Sequence, residues 1–268
     1  MIPSKIQEPI PEISIRKALP RWQVIQELRS GLRRFEHGVR ARSDHAAVVS
    51  TGIPALDAIL PDHGLRCGTL CEWIGAQPGS GVATLAMSVA GQAQKTGPLV
   101  IVDAQRTFYP AALPSTGVSL TESILVRPKS KHDELFTIEQ ALRCSGVGVV
   151  LGFIDRLRNQ QFRRLQLAAE SGTAIGMLIR PSFALKQTGW ADVRLLALPQ
   201  PSPSESFCRF VELRCLYAKG GTSDRSVDLE VNDETNHVRV AAKFSHSTCV
   251  LPTAGVEISS VRNIRGVG

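Results

Sequence analysis

The feature that most constrains the fold of this chain is a regular alternation of short apolar runs with segments of helical character. The apolar runs are continuous, as expected of strands that are buried on both faces of a sheet. The predicted strands are Thr69–Ile74, Pro98–Asp103, Ser123–Pro128, Val147–Ile154 and Thr173–Pro181, and the predicted helices are Val82–Gln94, His132–Cys144 and Gln160–Glu170. This rhythm predicts an α/β fold with a mostly parallel sheet covered by helices.

After Trp190 the pattern changes to strands without helices between them. The candidate strands are Asp192–Pro199, Phe207–Tyr217, Ser226–Val231 and His237–Phe244, and a turn signal lies at Asn232–Thr235. Their apolar residues alternate with polar ones more strictly than in the earlier runs. We therefore expect an antiparallel extension at one edge of the sheet.

A separate amphipathic segment precedes this core. Between Arg21 and His37 the apolar residues recur at helical spacing, which predicts one helix. Its apolar face consists of Trp22, Ile25, Leu28, Leu32 and Phe35. The predicted organisation is therefore a tail, helix and linker at 1–48, a core at 49–244 and a C-terminal tail at 245–268. The apolar face of the helix must be buried, either on its own domain or as a partner-binding surface.

Composition narrows the function classes. The formal net charge of +7 favours anionic partners such as nucleic acid. Six cysteines without a CxxC pair indicate neither a zinc site nor a secreted disulfide framework, so we expect reduced thiols and no metal. Neither a signal-peptide apolar region nor an apolar run of about 18 residues is present. We predict a cytoplasmic protein that does not contact membranes.

A glycine-rich loop between a predicted strand and a predicted helix is the main candidate site. Glycines let backbone N–H groups approach an anion, and the start of the helix adds its positive dipole end. The candidate phosphate-binding residues are Gly75, Gly79, Ser80, Gly81 and Thr84. The context of strand, loop and helix is the one that a phosphate-binding loop requires.

The same loop lacks the residues that hydrolysis needs. An intact motif continues with Lys and then Ser or Thr, which hold the terminal phosphates and Mg²⁺. Here these positions are Val82 and Ala83, and the interval from Gly75 to Gly81 is one residue longer than in the motif. Two interpretations remain: a tight turn that needs glycines, or ATP binding through backbone amides without hydrolysis. We expect no cofactor.

Two groups of segments resemble known families. Ser50–Ala86 and Leu99–Pro110 resemble the start of the RecA core. Phe162–Pro181, Trp190–Pro199, Phe210–Gly221 and Ser226–Phe244 resemble the ImuA family of RecA-like proteins, sometimes described as SulA-like. The resemblance extends from Trp22 to about Phe244, and its specific part lies in the four C-terminal segments.

The resemblance to the ImuA family implies a function in damage-induced (SOS) translesion DNA synthesis. Members of that family act with ImuB, an inactive homologue of Y-family polymerases, and with an error-prone DnaE-type polymerase. This implies a non-catalytic accessory role, with RecA as a further possible partner. The alternatives are a weak DNA-dependent ATPase that remodels DNA or polymerase complexes, and a SulA-like regulator of cell division.

Comparison with RecA also bears on catalysis. The glutamate that activates the attacking water in RecA falls on Gln105, whose amide cannot accept a proton. The strand that should carry a metal-orienting aspartate ends at Gly152, and we interpret Asp155 as the N-cap of the following helix.

A basic cluster follows the same strand. It comprises Arg156, Arg158, Arg163 and Arg164, and Lys186 lies in the next loop. The cluster is either a solvated face or a weak, salt-sensitive DNA contact. The aromatic stacking platform of a single-strand binder is not evident in the sequence.

Overall fold

The computed structural model describes residues 46–202, 207–221 and 223–241. The predicted amphipathic helix at 21–37 and the predicted C-terminal tail at 245–268 lie outside these residues. Their assignment, and that of the partner-binding face from Trp22 to Phe35, stays a prediction.

The described residues form an α/β fold whose elements agree with the predicted ones to within a few residues. The helices are α1 (Pro54–Ile59), α2 (Val82–Ala93), α3 (Lys131–Arg143) and α4 (Asn159–Ser171). The strands are β1 (Val48–Val49), β2 (Leu65–Arg66), β3 (Leu70–Gly75), β4 (Leu99–Val102), β5 (Ser123–Val126), β6 (Val149–Phe153), β7 (Ile175–Pro181), β8 (Val193–Gln200), β9 (Cys208–Ala218), β10 (Arg225–Asn232) and β11 (Val238–Val240). No helix in these ranges is both long and apolar enough to cross a membrane.

Nine strands form one sheet in the order β11-β10-β9-β8-β3-β7-β6-β4-β5. The six strands from β8 to β5 run parallel to their neighbours, and β9, β10 and β11 add antiparallel pairs at the other edge. The antiparallel extension predicted from the sequence is therefore confirmed for its last three strands. The first strand after Trp190, β8, differs because it pairs in parallel with β3 on one side and antiparallel with β9 on the other.

The sheet has a core on each face. One core packs Leu85 and other side chains of α2 against one face of the sheet, which includes Leu151 and Leu195. The other packs α3 and α4 against the opposite face, with Ile138, Leu165 and Leu178 among its members. Helices thus cover both faces of the parallel part, as the continuous apolar runs predicted.

A buried ion cluster ties the three central strands together. Glu72 of β3 is fully buried, and its two carboxylate oxygens accept hydrogen bonds from Arg180 of β7 at 2.6 Å and from Arg194 of β8 at 2.5 Å. The two guanidinium groups also donate to the segment after β7, to the Gln187 side chain at 2.6 Å and to the Ala184 carbonyl at 3.0 Å. One buried carboxylate therefore fixes both neighbouring strands and the following segment.

We predict that Glu72→Gln destabilises the protein strongly. The change keeps the shape of the side chain but leaves two guanidinium groups without their buried counter-charge, which costs about 3–5 kcal/mol in comparable sites. Urea unfolding measures the loss. Glu212→Gln is the matched control, since Glu212 pairs with the half-exposed Arg214 at the surface. Equal unfolding midpoints for the two variants would contradict the assignment.

Candidate phosphate-loop site and the adjoining edge of the sheet

The glycine-rich loop lies at the edge of the sheet where the parallel strands end. The segments that follow β3, β4, β6 and β7 all meet at this edge, because parallel strands present their carboxyl ends together. Ligands of open α/β sheets bind at this edge. The topology therefore brings together the loop, Gln105, Asp155 and the segment after β7.

The loop has the backbone geometry that its glycines allow. Gly79 and Gly81 adopt φ values of 78° and 77°, in the left-handed region that side chains disfavour. Gly81 precedes α2 directly, and no side chain caps that helix. The turn from strand to helix thus needs these glycines whether or not an anion binds.

The loop folds closely on itself around Gly75. A Cβ atom at Gly75 would lie 2.6 Å from the Ser80 hydroxyl and 3.2 Å from a Val82 methyl carbon. Ser80 is buried, and its backbone N–H donates to the Gln77 carbonyl at 3.2 Å. One of the amides that could have met a phosphate is therefore used within the loop, and a valine methyl lies where the lysine stem begins.

The first turn of α2 faces an apolar cavity. Its volume is about 220 Å³, and Thr84 lines it together with Met87, Phe108 and Phe153. The rings of Phe108 and Phe153 contact each other with centroids 6.0 Å apart. Thr84 therefore contacts a mainly hydrophobic space, whereas a Mg²⁺ ion needs carboxylates and water.

The strand that should carry a metal-orienting aspartate by comparison with RecA ends one residue later than predicted, at Phe153. Gly152 faces the other side of the sheet, because a Cβ atom there would lie 2.7 Å from Ile138 of α3. The next residue, Phe153, ends β6 and faces α2. The alignment with Gly152 was thus one residue off, and an aromatic side chain occupies the corresponding place beside the loop.

Gln105 and Asp155 meet, although they are 50 positions apart in sequence. The Gln105 amide donates to the Asp155 carboxylate at 2.8 Å. The prediction that Asp155 is a helix N-cap is wrong: α4 begins after Arg158, whose backbone N–H donates to the Gln161 side chain at 2.9 Å. The Gln105 amide therefore occupies one oxygen of the Asp155 carboxylate.

The structure adds one cation to the loop that sequence reasoning missed. Arg209, at the start of β9, reaches the last glycine, and its Nη1 atom would lie 3.7 Å from a Cβ atom at Gly81. Its Nε donates to Asp233 in the turn before β11. The sequence around Arg209 gives no indication of this contact, because Arg209 and Gly81 come from distant parts of the chain.

The basic cluster forms a mixed surface with two aromatic rings. The guanidinium of Arg156 lies over Phe183 at 5.6 Å, and that of Arg163 lies over Trp190 at 5.0 Å. Phe183 is 40% exposed and Trp190 is 47% exposed. We call Arg156, Phe183, Arg163 and Trp190 the stacked patch. Its aromatic members were missed in the sequence because they lie about 27 residues after their partners.

Among the described residues, the other members of the predicted basic cluster do not lie over an aromatic ring. Arg164 pairs with Glu139 of α3 at 2.6 Å, which makes it a link between two helices. Arg158 is exposed at the start of α4, and Lys186 is exposed at the end of the short helix Ser182–Lys186. For Arg164, this ion pair therefore favours a structural role over a DNA contact.

The chain is similar to RecA proteins over part of its length. It is 36% identical to the RecA protein of Chlorobium limicola over 154 residues, which cover 49% of this chain and 44% of the relative. Identity to RecA of Chlorobaculum tepidum is 33% over 108 residues, covering 40% and 31% of the two chains. For RecA of Methylococcus capsulatus it is 35% over 105 residues, covering 39% and 30%.

The chain spans less than half the length of each of these relatives. No family model matches it. The similarity agrees with the α/β architecture, and the described core is RecA-like.

Proposed function

We propose that this protein is a RecA-like accessory protein that acts by assembly in the DNA-damage response and does not hydrolyse ATP. The observation that carries the proposal is the replacement of four hydrolytic side chains at one edge of the sheet. They are Val82, Ala83, Gln105 and Phe153. The similarity to RecA proteins supports the connection to DNA damage.

The four replacements remove different parts of one reaction. Phosphoryl transfer depends on cations at the phosphates, a metal ion and an oriented water. Val82 and Ala83 supply neither charge nor hydroxyl, Gln105 donates its amide to Asp155, and Phe153 contributes a ring. Restoring any single part leaves the others missing, so the scaffold is better suited to presenting surfaces than to catalysis.

We expect no Mg²⁺-dependent phosphate release from the purified protein, with or without single-stranded DNA. The double substitution Val82→Lys and Ala83→Thr is expected to leave this unchanged, because Gln105 and Phe153 still lack the base and the metal ligand. A coupled phosphate assay with RecA as positive control measures it. Release that depends on Mg²⁺ and is lost in Gly81→Val would overturn the proposal.

The resemblance to the ImuA family supports a specific assembly. The proposed partners are an ImuB-type polymerase homologue and an error-prone DnaE-type polymerase, in translesion synthesis after damage. The contact surface we propose is the apolar face of the predicted helix at 21–37, with the C-terminal tail as a second contact. An amphipathic helix outside a compact domain has an apolar face to bury, and partner binding is one way to bury it.

We predict that Leu28→Asp combined with Leu32→Asp abolishes co-purification of the polymerase partner from damaged cells. Two carboxylates on the apolar face cannot be buried without a large desolvation cost. The described core is expected still to melt cooperatively, since both changes lie outside it. Full recovery of the partner with the double variant would reject this surface.

A second candidate function is weak binding of single-stranded DNA, and the stacked patch favours it. Aromatic rings and guanidinium planes stack on nucleic-acid bases, while the cations meet the phosphates. Here two half-exposed rings each lie under the guanidinium group of an arginine. The net charge of +7 favours the same kind of partner.

We expect Trp190→Ala to weaken the binding of a labelled single strand about 5- to 100-fold, since stacking contributes about 1–3 kcal/mol per base. Arg163→Gln is expected to reduce the salt dependence of binding. Fluorescence anisotropy at low and moderate salt measures both. Arg225→Gln, an exposed arginine at the start of β10, is the charge-matched control. Absence of binding even at low salt would end this candidate.

A further inference from the structure

A second cavity opens at the edge of the sheet opposite the phosphate loop. Its volume is about 330 Å³, which lies at the lower end of ligand-sized pockets. It is lined by residues that precede β1, β3, β4, β6 and β7, namely Ala46, Ala47, Cys67, Thr96, Val147 and Thr173. Nearly all of these side chains are short, so the cavity is complementary to large apolar side chains from another segment.

The chain itself enters the described core at this cavity. Ala46 and Ala47 form part of the wall, and the Ala47 carbonyl accepts a hydrogen bond from the Cys67 N–H at 2.8 Å. The preceding chain therefore leaves directly from the rim. Residues 38–45 separate it from the amphipathic segment at 21–37, and eight residues reach at most about 26–29 Å when fully extended.

We propose that the apolar face of residues 21–37 packs into this cavity within the same chain. The segment carries the large side chains that the cavity lacks, among them Leu28, Leu32 and Phe35. A tether of this length gives an effective concentration on the order of millimolar, which favours the same chain over a second copy in dilute solution.

Cys67 reports directly on the occupancy of the cavity. It lines the wall and is partly exposed in the described core, where burial raises the pKa of its thiol. Two further thiols serve as references for the labelling rate of an exposed and of a fully buried cysteine. Cys144 is exposed, and Cys71 is fully buried, where burial raises its pKa to about 12.

The experiment compares the rate at which a maleimide labels Cys67 in the full chain and in the variant Leu28→Asp with Leu32→Asp. Peptide mapping by mass spectrometry separates the three cysteines. We expect labelling of Cys67 to be at least about tenfold faster in the variant, with Cys144 unchanged and Cys71 unreactive in both. Gln23→Asp with Ser30→Asp, which adds the same charge to the opposite face, is expected to label at the wild-type rate.

Three outcomes would overturn the inference. Equal rates for wild type and the apolar-face variant would show that the segment does not cover Cys67. Faster labelling of both double variants would show an effect of charge alone. Protection that disappears on dilution would assign the contact to a second copy.

This inference does not rest on the proposed function, because the readout needs no polymerase and no DNA. A protein that binds the same apolar face must displace it from the cavity, so the two contacts exclude each other. Failure of co-purification leaves the labelling result intact, and equal labelling rates leave the co-purification result intact.

Discussion

The buried carboxylate of Glu72 is the interaction on which the geometry of the site depends. It lies in β3, the strand that leads into the glycine-rich loop, and binds arginines from both neighbouring strands. Removing such charges from water costs several kcal/mol per ion, so the cluster is tolerated only where its hydrogen bonds are made. Arg180 and Arg194 make theirs partly to the segment after β7. The position of that segment, and with it Phe183 and Trp190, is thereby coupled to the strand that carries the loop.

The glycine-rich loop shows that shape and chemistry are separate requirements. The left-handed backbone at Gly79 and Gly81 is needed for the turn from β3 into α2, and glycine satisfies it at no steric cost. Phosphate transfer also needs a lysine and a metal-binding hydroxyl directly after the last glycine, and Val82 and Ala83 occupy those positions here. Arg209, a cation that reaches the loop, comes from β9 and is already paired with Asp233. A retained loop is therefore weak evidence for ATP hydrolysis.

The elements of the fold could be predicted because continuous apolar runs report burial on both faces of a sheet. The direction of strand pairing was harder to predict. Apolar and polar residues alternate in β8 as in an edge strand, yet β8 pairs in parallel with β3. The pairing direction depends on how the chain returns after β7, which the alternation does not show. The assignment of Gly152 failed for a related reason. A shift of one residue moves a strand side chain to the other face, and only the packing against Ile138 shows which face Gly152 occupies.

The candidate site was predictable only where it is local in sequence. The loop residues are contiguous and carry a recognisable spacing, so their departures from the motif could be read directly. The stacked patch joins Arg163 of α4 to Trp190 beyond β7, and the Gln105–Asp155 bond joins the ends of β4 and β6. The Gln105–Asp155 contact exists because parallel strands bring their carboxyl ends to one edge. Trp190 instead lies in the segment that leads into the amino end of β8, so only the path of the chain after β7 places it beside Arg163.

The two edges of the parallel sheet offer different surfaces. The carboxyl edge carries Arg156 and the exposed ring of Phe183, which follow β6 and β7, whereas the amino edge carries a cavity with short side chains at the point where the chain enters. Groups that bind at opposite ends of the same strands do not compete for space. A charged polymer at one edge and an apolar segment at the other are therefore compatible on one scaffold.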